Sequence, residues 1–348
     1  MRRGEQGRAG IVFAVVALIL VLAVAAGGTL LYGRTQLDPP ATSAGAPVTI
    51  TVSSGESVDA LIADLDYHGV IRSAFWFGWY ARFQGLASKL VAGQFKLDSS
   101  MSASFIIQRL EGPPTVAVRT VLLTEGLNAA QMADRVAAAV PGITAAAYLQ
   151  EVKTGAFTEP FLAGRPPGSS LEGFLFPDTY TVPANATAHD MVELQLADFA
   201  KKAEPLFGAM SPQQLYAALT VASIIEREAK FATDRPLVAA VIDNRLHIGM
   251  LLEVDSTVIY GLGLKSDVLT QAQLHQDTPY NSYIHAGLPP TPIANPGASS
   301  IQAAVTPAST NYLFFVSDGC GHNHYSVTIQ QHDQQVAQYL GQPCASPT

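Results

Sequence analysis

Cysteine is almost missing from this chain: there are two in 348 residues, Cys320 and Cys344. Two cannot build a multi-bridge disulfide scaffold, and the absence of any C-x-x-C pair excludes a structural zinc held on cysteines. Charge is also scarce. Asp, Glu, Lys and Arg make up 14% of the chain against 48% hydrophobic residues. A disordered chain shows the opposite balance, so a packed core is expected. Nor is there a basic excess: 28 acidic residues against 20 basic ones give a net charge of −8. Without a basic footprint the composition excludes a nucleic-acid partner. A chain of this length is expected to form about two domains.

The longest gap in charge lies between Arg8 and Arg34, where residues 9–33 are apolar or small throughout. About 20 such residues cross a bilayer as a helix. Arg2, Arg3 and Arg8 precede the run, so the positive-inside rule leaves residues 1–8 as a cytoplasmic tail and puts the rest outside the cell membrane. The alternatives are a cleaved signal peptide and a buried core helix. The run exceeds a signal h-region and no clear A-x-A site closes it, so a retained single-pass anchor is the expectation. With no cysteine near its end, a lipid-modified anchor is not expected. Export alters the reading of the two cysteines: in an oxidising compartment Cys320 and Cys344 can pair, the alternative being two free thiols.

Residues 34–47, rich in Pro, Ala, Ser, Thr and Gly, read as a flexible linker. Val48-Thr-Ile-Thr-Val then alternates as a half-buried strand does. Helical spacing follows in Val58, Leu61, Ile62 and Leu65 and again over 73–84, with a returning strand at Gly93-Gln-Phe-Lys-Leu and a helix over 102–110. This describes a small α+β module at 48–115. A connecting α/β subdomain is expected at 116–168, a mixed α/β functional domain at 169–341, with helices near 188–206, 212–230, 233–248, 270–275 and 298–304, and a tail at 342–348. The fold class is α+β.

The segment 213–230 predicts a helix that is apolar almost all round, hence buried. Glu226 and Glu228 stand near its end, and the spacing alone does not say which matters. One reading is a solvated helix end, with Glu226 paired to Lys230 at i, i+4. The other is a general acid, because a carboxyl in apolar surroundings holds its proton to higher pH. A second segment, Ser170 to Tyr180, places Glu172 and Asp178 around an aromatic turn, either a surface suited to a sugar or a buried turn with capping carboxylates. Two irregular stretches, 243–263 and 278–297, are dense in Asn, Tyr, Asp and Gly, and long loops in compact domains usually carry function.

Four strings stand in these segments: A-S-I-I-E-R-E at 222–228, L-E-G-F-L-F-P-D-T-Y at 171–180, N-R-L-x-I-G-M with D-S-T-V-I-Y-G-L-G over 244–263, and Y-N-S-Y-I-H-A-G-L-P-P-x-P-I-A-N-P-G over 280–297. In order and spacing they resemble the MltG, or YceG-like, family of endolytic murein transglycosylases, and the likeness extends over nearly the whole chain. The resemblance implies that Glu226 is the catalytic acid. It implies that Glu172, Tyr180, Asn244, Asp255, Tyr280, Asn281 and Asn295 lie in a glycan cleft, and that the 48–115 module is LysM-like. It also implies peptidoglycan strands as substrate, the cell-wall synthesis machinery as a partner, and no metal or organic cofactor. One carboxyl would act as acid and then base on the MurNAc–GlcNAc bond, leaving a 1,6-anhydro end. A muramidase-type hydrolase using Asp255 or Glu172 as second carboxylate, and a non-catalytic glycan-binding scaffold, are the alternatives. A nucleophile at Ser223 has no Gly-x-Ser-x-Gly elbow around it. The chain departs from the family at Asp318-Gly-Cys-Gly-His-Asn-His-Tyr325, where a family histidine falls on Asn323. His322, His324 and His332 raise the idea of a metal site, but no acidic partner stands at ligand spacing, so loop histidines are expected.

Overall fold

The computed structural model describes residues 22, 27–29, 31–41, 46–266 and 268–342. Most of the expected anchor lies outside these residues, as does Cys344. Among the described residues no helix is long and apolar enough to cross a membrane. The chain divides into two compact units, with the boundary between Arg119 and Thr120.

The first unit is built in the order strand, helix, helix, strand, helix. Strand β1 (Val48–Val52) pairs antiparallel with β2 (Gly93–Leu97), Ile50 opposite Phe95. Between them come α1 (Val58–Tyr67) and α2 (Ala74–Phe83), and after them α3 (Ala103–Glu111). A serine side chain caps each helix: Ser57, Ser73 and Ser102 accept the amide N–H three residues on. Alternation along β1 and β2 turns Ile50, Val52, Phe95 and Leu97 inward against Leu61, Leu65, Phe77, Ile106 and Leu110. The segment read as a flexible linker is partly fixed. Leu37 packs on this core, Ala103 donates its N–H to the Leu37 carbonyl, Ala41 donates to Ser99, and Arg72 reaches the Pro39 carbonyl at 2.7 Å. Prolines and small residues gave the linker its look; one half-buried leucine and three hydrogen bonds hold it down.

The second unit opens with β3 (Val118–Leu122), which pairs with β4 (Thr179–Pro183). Between these strands lie α4 (Ala129–Ala139) and α5 (Ala145–Thr154). Then come α6 (Ala188–Lys202), α7 (Pro212–Glu228), α8 (Arg235–His247), α9 (Asp255–Gly261), the one-turn α10 (Gln271–Leu274) and α11 (Ala298–Val305). A hairpin of β5 (Phe314–Ser317) and β6 (Asn323–Ser326) and a last helix, α12 (Ile329–Tyr339), complete it. The larger core draws on Val121, Met132, Tyr148, Phe174, Phe199 and Ile301, so the connecting segment shares its interior with the chain that follows. Helix α7 lies between two clusters. Leu215, Leu219 and Ala222 join the larger one, while Ile224 and Ile225 join a second with Val238, Ile242 and Ile293. This explains why its sequence is apolar all round.

The β5–β6 hairpin carries His322 and His324, and His332 lies on α12, stacked on Phe314. His324 has an acidic partner that the sequence spacing did not offer, Asp318 Oδ2 at 3.2 Å. Asp318 accepts the Cys320 and His322 backbone N–H groups, each at 2.9 Å. His322 stacks on Phe231 and His324 on Tyr339, and no metal-holding group of His, Cys, Asp or Glu occurs among the described residues. Cys320 is disulfide-bonded.

Candidate functional site

Ser211 opens α7 with a capping box closed by Gln214, and Pro212 takes the first helical position, where no N–H is needed. The helix then runs to Glu226, whose side chain is 7% exposed. The Glu226 carboxylate accepts three hydrogen bonds. Gly297 N–H and the Ser300 hydroxyl reach Oε2 at 3.1 and 2.7 Å, and Arg235 Nη2 reaches Oε1 at 3.2 Å. Lys230, the expected i, i+4 partner, instead donates to the Cys320 carbonyl. Arg235 also stands 3.6 Å from Glu125, a half-exposed carboxylate on the turn after β3.

Two opposed effects act on Glu226. Burial pushes its carboxyl above the ordinary value; the Ser300 hydroxyl, the Arg235 charge and the Gly297 amide pull it back, while the Glu125 charge pushes it up again. The net shift is upward. The group can thus hold a proton higher into the pH range than an exposed glutamate, and its anion still meets ready partners.

Two glycines stand where the turns meet this carboxyl. Gly126, at φ +79°, has a conformation that favours glycine and faces Glu226 Cγ, and a Cβ on Gly297 would push the half-exposed Glu125 carboxylate aside. Those turns are locked by Asn295, which is fully buried. Its Oδ1 accepts the Gly173 and Leu175 N–H groups, and its Nδ2 donates to the Leu127 carbonyl and to Glu172. Its backbone N–H donates to Leu127 and its carbonyl accepts from Gly126.

Glu172 completes the lock. It is 2% exposed and accepts from the Ala129 amide, the Asn295 amide and the Tyr260 hydroxyl. Burial pushes its carboxyl up to about 7, against the pull of those donors. Because the folded value lies above the ordinary 4.5, this group's stabilising contribution is complete below that pH and is lost as pH rises through about 7. Thermal melts across this window should show the decline in wild type and a flatter profile in Glu172→Gln; an equal slope in both would assign it elsewhere.

A groove runs beside these turns. One cavity of about 310 Å³ is lined by Gly126, Asn128, Gln131, Arg227, Tyr260 and Ile293. A second, of about 390 Å³, shares Asn128, Ala130, Tyr260 and Gly263 with it and extends to Ser170 and Glu172. Gly126, which lines the first cavity, faces Glu226 Cγ; Glu226 itself is in the lining of neither.

The remaining sequence-derived residues divide by placement. Tyr180 and Asn281 are buried, with polar groups facing inward. The Tyr180 hydroxyl donates to the Phe176 carbonyl, and the Asn281 amide holds the Leu274 and Gln276 carbonyls. Glu172 and Asn295 likewise have protein partners, and Glu172 also lines the second cavity. Asn244 is half-buried and holds the Thr310 and Tyr312 carbonyls. Tyr280 packs edge-on against Tyr260, its hydroxyl 2.9 Å from Thr291. Asp255, exposed at the start of α9, accepts from the Tyr283 hydroxyl and borders a different cavity, with Glu228. Ser223 is fully buried, donating to Thr220 and accepting from Ile293, so it presents no nucleophile. Sequence reasoning missed Glu125, Arg235, Gly297 and Ser300. Only Gly297, inside a quoted string, carried any signal.

Comparison with known proteins gives the family. The YceG-like family matches residues 50–338. An endolytic murein transglycosylase of Bacillus subtilis is 31% identical over 90% of this chain and 91% of its own length. One from Streptococcus pneumoniae is 27% identical over 94% of this chain, which spans 65% of that longer protein. The crystal structure of a YceG-like protein from Listeria monocytogenes, 29% identical, superposes with a TM-score of 0.55 over 84% of this chain and all of that one. The match covers both units and every string around Glu226, and the chain therefore belongs to the YceG-like family.

Proposed function

We propose that this protein is a membrane-anchored endolytic murein transglycosylase, acting outside the cell membrane on nascent glycan strands near the synthesis machinery. The relatives' names support the activity, and the uncharged run at 9–33 supports the anchor. The first unit, with two helices between its paired strands, serves as a LysM-like module. The observation that carries the mechanism is Glu226: a carboxyl buried at the end of α7, pushed up by that burial, yet met by three donors.

The reaction needs both properties. Protonated Glu226 gives its proton to the oxygen between N-acetylmuramic acid and N-acetylglucosamine as the C1–O bond breaks. The substrate's 2-acetamido group supports the cationic C1. The Glu226 anion, held by Arg235, Ser300 and Gly297, then takes the proton of the C6 hydroxyl as that oxygen bonds to C1, closing the 1,6-anhydro ring. The cycle returns Glu226 protonated and consumes no water.

Arg235 sets the balance between the two states. The acid step requires neutral Glu226, so activity falls as pH rises through its pKa. Arg235 lowers that pKa, so Arg235→Met should move the alkaline limb of kcat/KM to higher pH and reduce the maximum. A limb that does not move would give Arg235 a purely structural part. Glu125 favours a second reading. It shares Arg235 with Glu226, as the two carboxyls of a hydrolase flank one bond. Fragments with reducing muramic acid ends would select it.

A further inference from the structure

Three aromatic side chains on α2 bury little against the protein. Phe75, Trp79 and Phe83 are 72%, 51% and 75% exposed. At i, i+4 and i+8 they form one stripe along the helix, and Trp79 and Phe83 stack with their rings 5.7 Å apart and 7° from parallel. Singly exposed apolar residues are ordinary, but a continuous aromatic stripe marks a contact surface.

The stripe adjoins the end of the uncharged N-terminal run. Phe75 packs edge-on against Trp76 at 5.3 Å. The Trp76 ring presses on Gly33, where a Cβ would meet it at 2.5–2.8 Å. Gly33 is the last residue before Arg34 ends the run. The next residues are held down by Leu37 in the core and by the Arg72 and Ala103 hydrogen bonds, so no free tether separates stripe and run. Within the run, Leu22, Leu31 and Tyr32 are themselves exposed.

We propose that the Phe75–Trp79–Phe83 face of α2 lies in the headgroup interface of the lipid bilayer and seats the first unit on the membrane that the N-terminal run crosses. This rests on the anchored reading of that run. Tryptophan and phenylalanine suit this depth, with rings among the upper acyl chains and, for Trp79, an indole N–H toward the headgroups. Arg34 closes the run beside the stripe with a charge suited to anionic headgroups, while Arg72 and Arg82 are held by the Pro39 carbonyl and by Asp59. A glycan-binding face would set hydrogen-bonding side chains among the rings, and within this stripe the Trp79 indole is the one such group. The surface differs from the groove of the second unit and acts by placement, with no part in the chemistry.

The chain's two tryptophans, Trp76 and Trp79, both lie on this helix, so intrinsic fluorescence reports on the stripe directly. The full-length chain is reconstituted in phosphatidylcholine–phosphatidylglycerol vesicles carrying bromine at shallow or deep acyl positions. In Trp76→Phe the emission comes from Trp79 alone. Shallow bromine is expected to remove about half of it and deep bromine less, as befits an interfacial ring; wild type serves for the same comparison should the variant fold poorly. Flotation after alkaline extraction separates the two readings. A chain that leaves the vesicles overturns the anchor, and the proposal with it. A chain that floats with Trp79 unquenched by either lipid overturns the proposal alone. In that case, emission that shifts with uncrosslinked glycan strands assigns the stripe to glycan, and emission that shifts with protein-to-lipid ratio assigns it to a second copy.

Discussion

Strand cleavage falls by about 10³-fold or more in Glu226→Gln, since the amide can neither give the first proton nor take the second. Fold is retained. The amide fills the same space and removes a desolvated carboxyl, while setting one N–H group against the donors Arg235, Ser300 and Gly297, so the two effects on stability oppose each other. The expected change in Tm is a few degrees at most, of either sign. Rates of fragment release, with a circular dichroism melt of the same preparation, test both halves. Cleavage within tenfold of wild type would remove Glu226 from the chemistry, whatever the melt showed.

Asn295→Ala has the largest expected effect on stability. The side chain satisfies the Gly173 and Leu175 amides, the Leu127 carbonyl and one Glu172 oxygen from a fully buried position. Removing it strands those groups where water does not reach, at about 1–3 kcal/mol for each left unpaired. With partial relaxation the loss should total about 3–5 kcal/mol, or about 10 °C in Tm for a unit of this size. Activity should fall too, because the same hydrogen bonds hold the 125–129 turn against Glu226. Denaturant titration gives the free energy directly; a loss under about 1 kcal/mol would mean that the turns hold without Asn295.

The parts of this structure that repeat were legible in the sequence. Alternation in Val48-Thr-Ile-Thr-Val and the helical spacing of Val58, Leu61, Ile62 and Leu65 marked the first unit, and the continuous apolar faces of α7 marked a buried helix. Local periodicity reports burial, and burial dominated there. Helices α5, α9 and α12 and strand β6 were not foreseen; α5 and α12 are broken by polar or small residues, and β6 is Asn-His-Tyr-Ser, with no alternation to read. The site was legible only at Glu226. Its partners are far apart in sequence: Glu125 on a turn, Arg235 at the head of α8, Ser300 on α11. Each looks locally like a surface residue, and only the packing of α11 and α8 on α7 brings them together. The asparagines stood out through the family resemblance and Glu172 also through its aromatic turn, and their hydrogen bonds show what those types do there: each asparagine satisfies several backbone groups where the loops cross, and Glu172 joins one backbone amide to two side chains.

In the proposed reaction one carboxyl, Glu226, cleaves internal glycan bonds without water. Mass spectrometry of the products tests it most directly, using full-length protein in detergent with uncrosslinked glycan strands. Internal fragments ending in 1,6-anhydro-N-acetylmuramic acid are expected from wild type and not from Glu226→Gln. Fragments of the same length carrying one added water would contradict it and give the bond to a hydrolase, with Glu125 as the second carboxylate to examine.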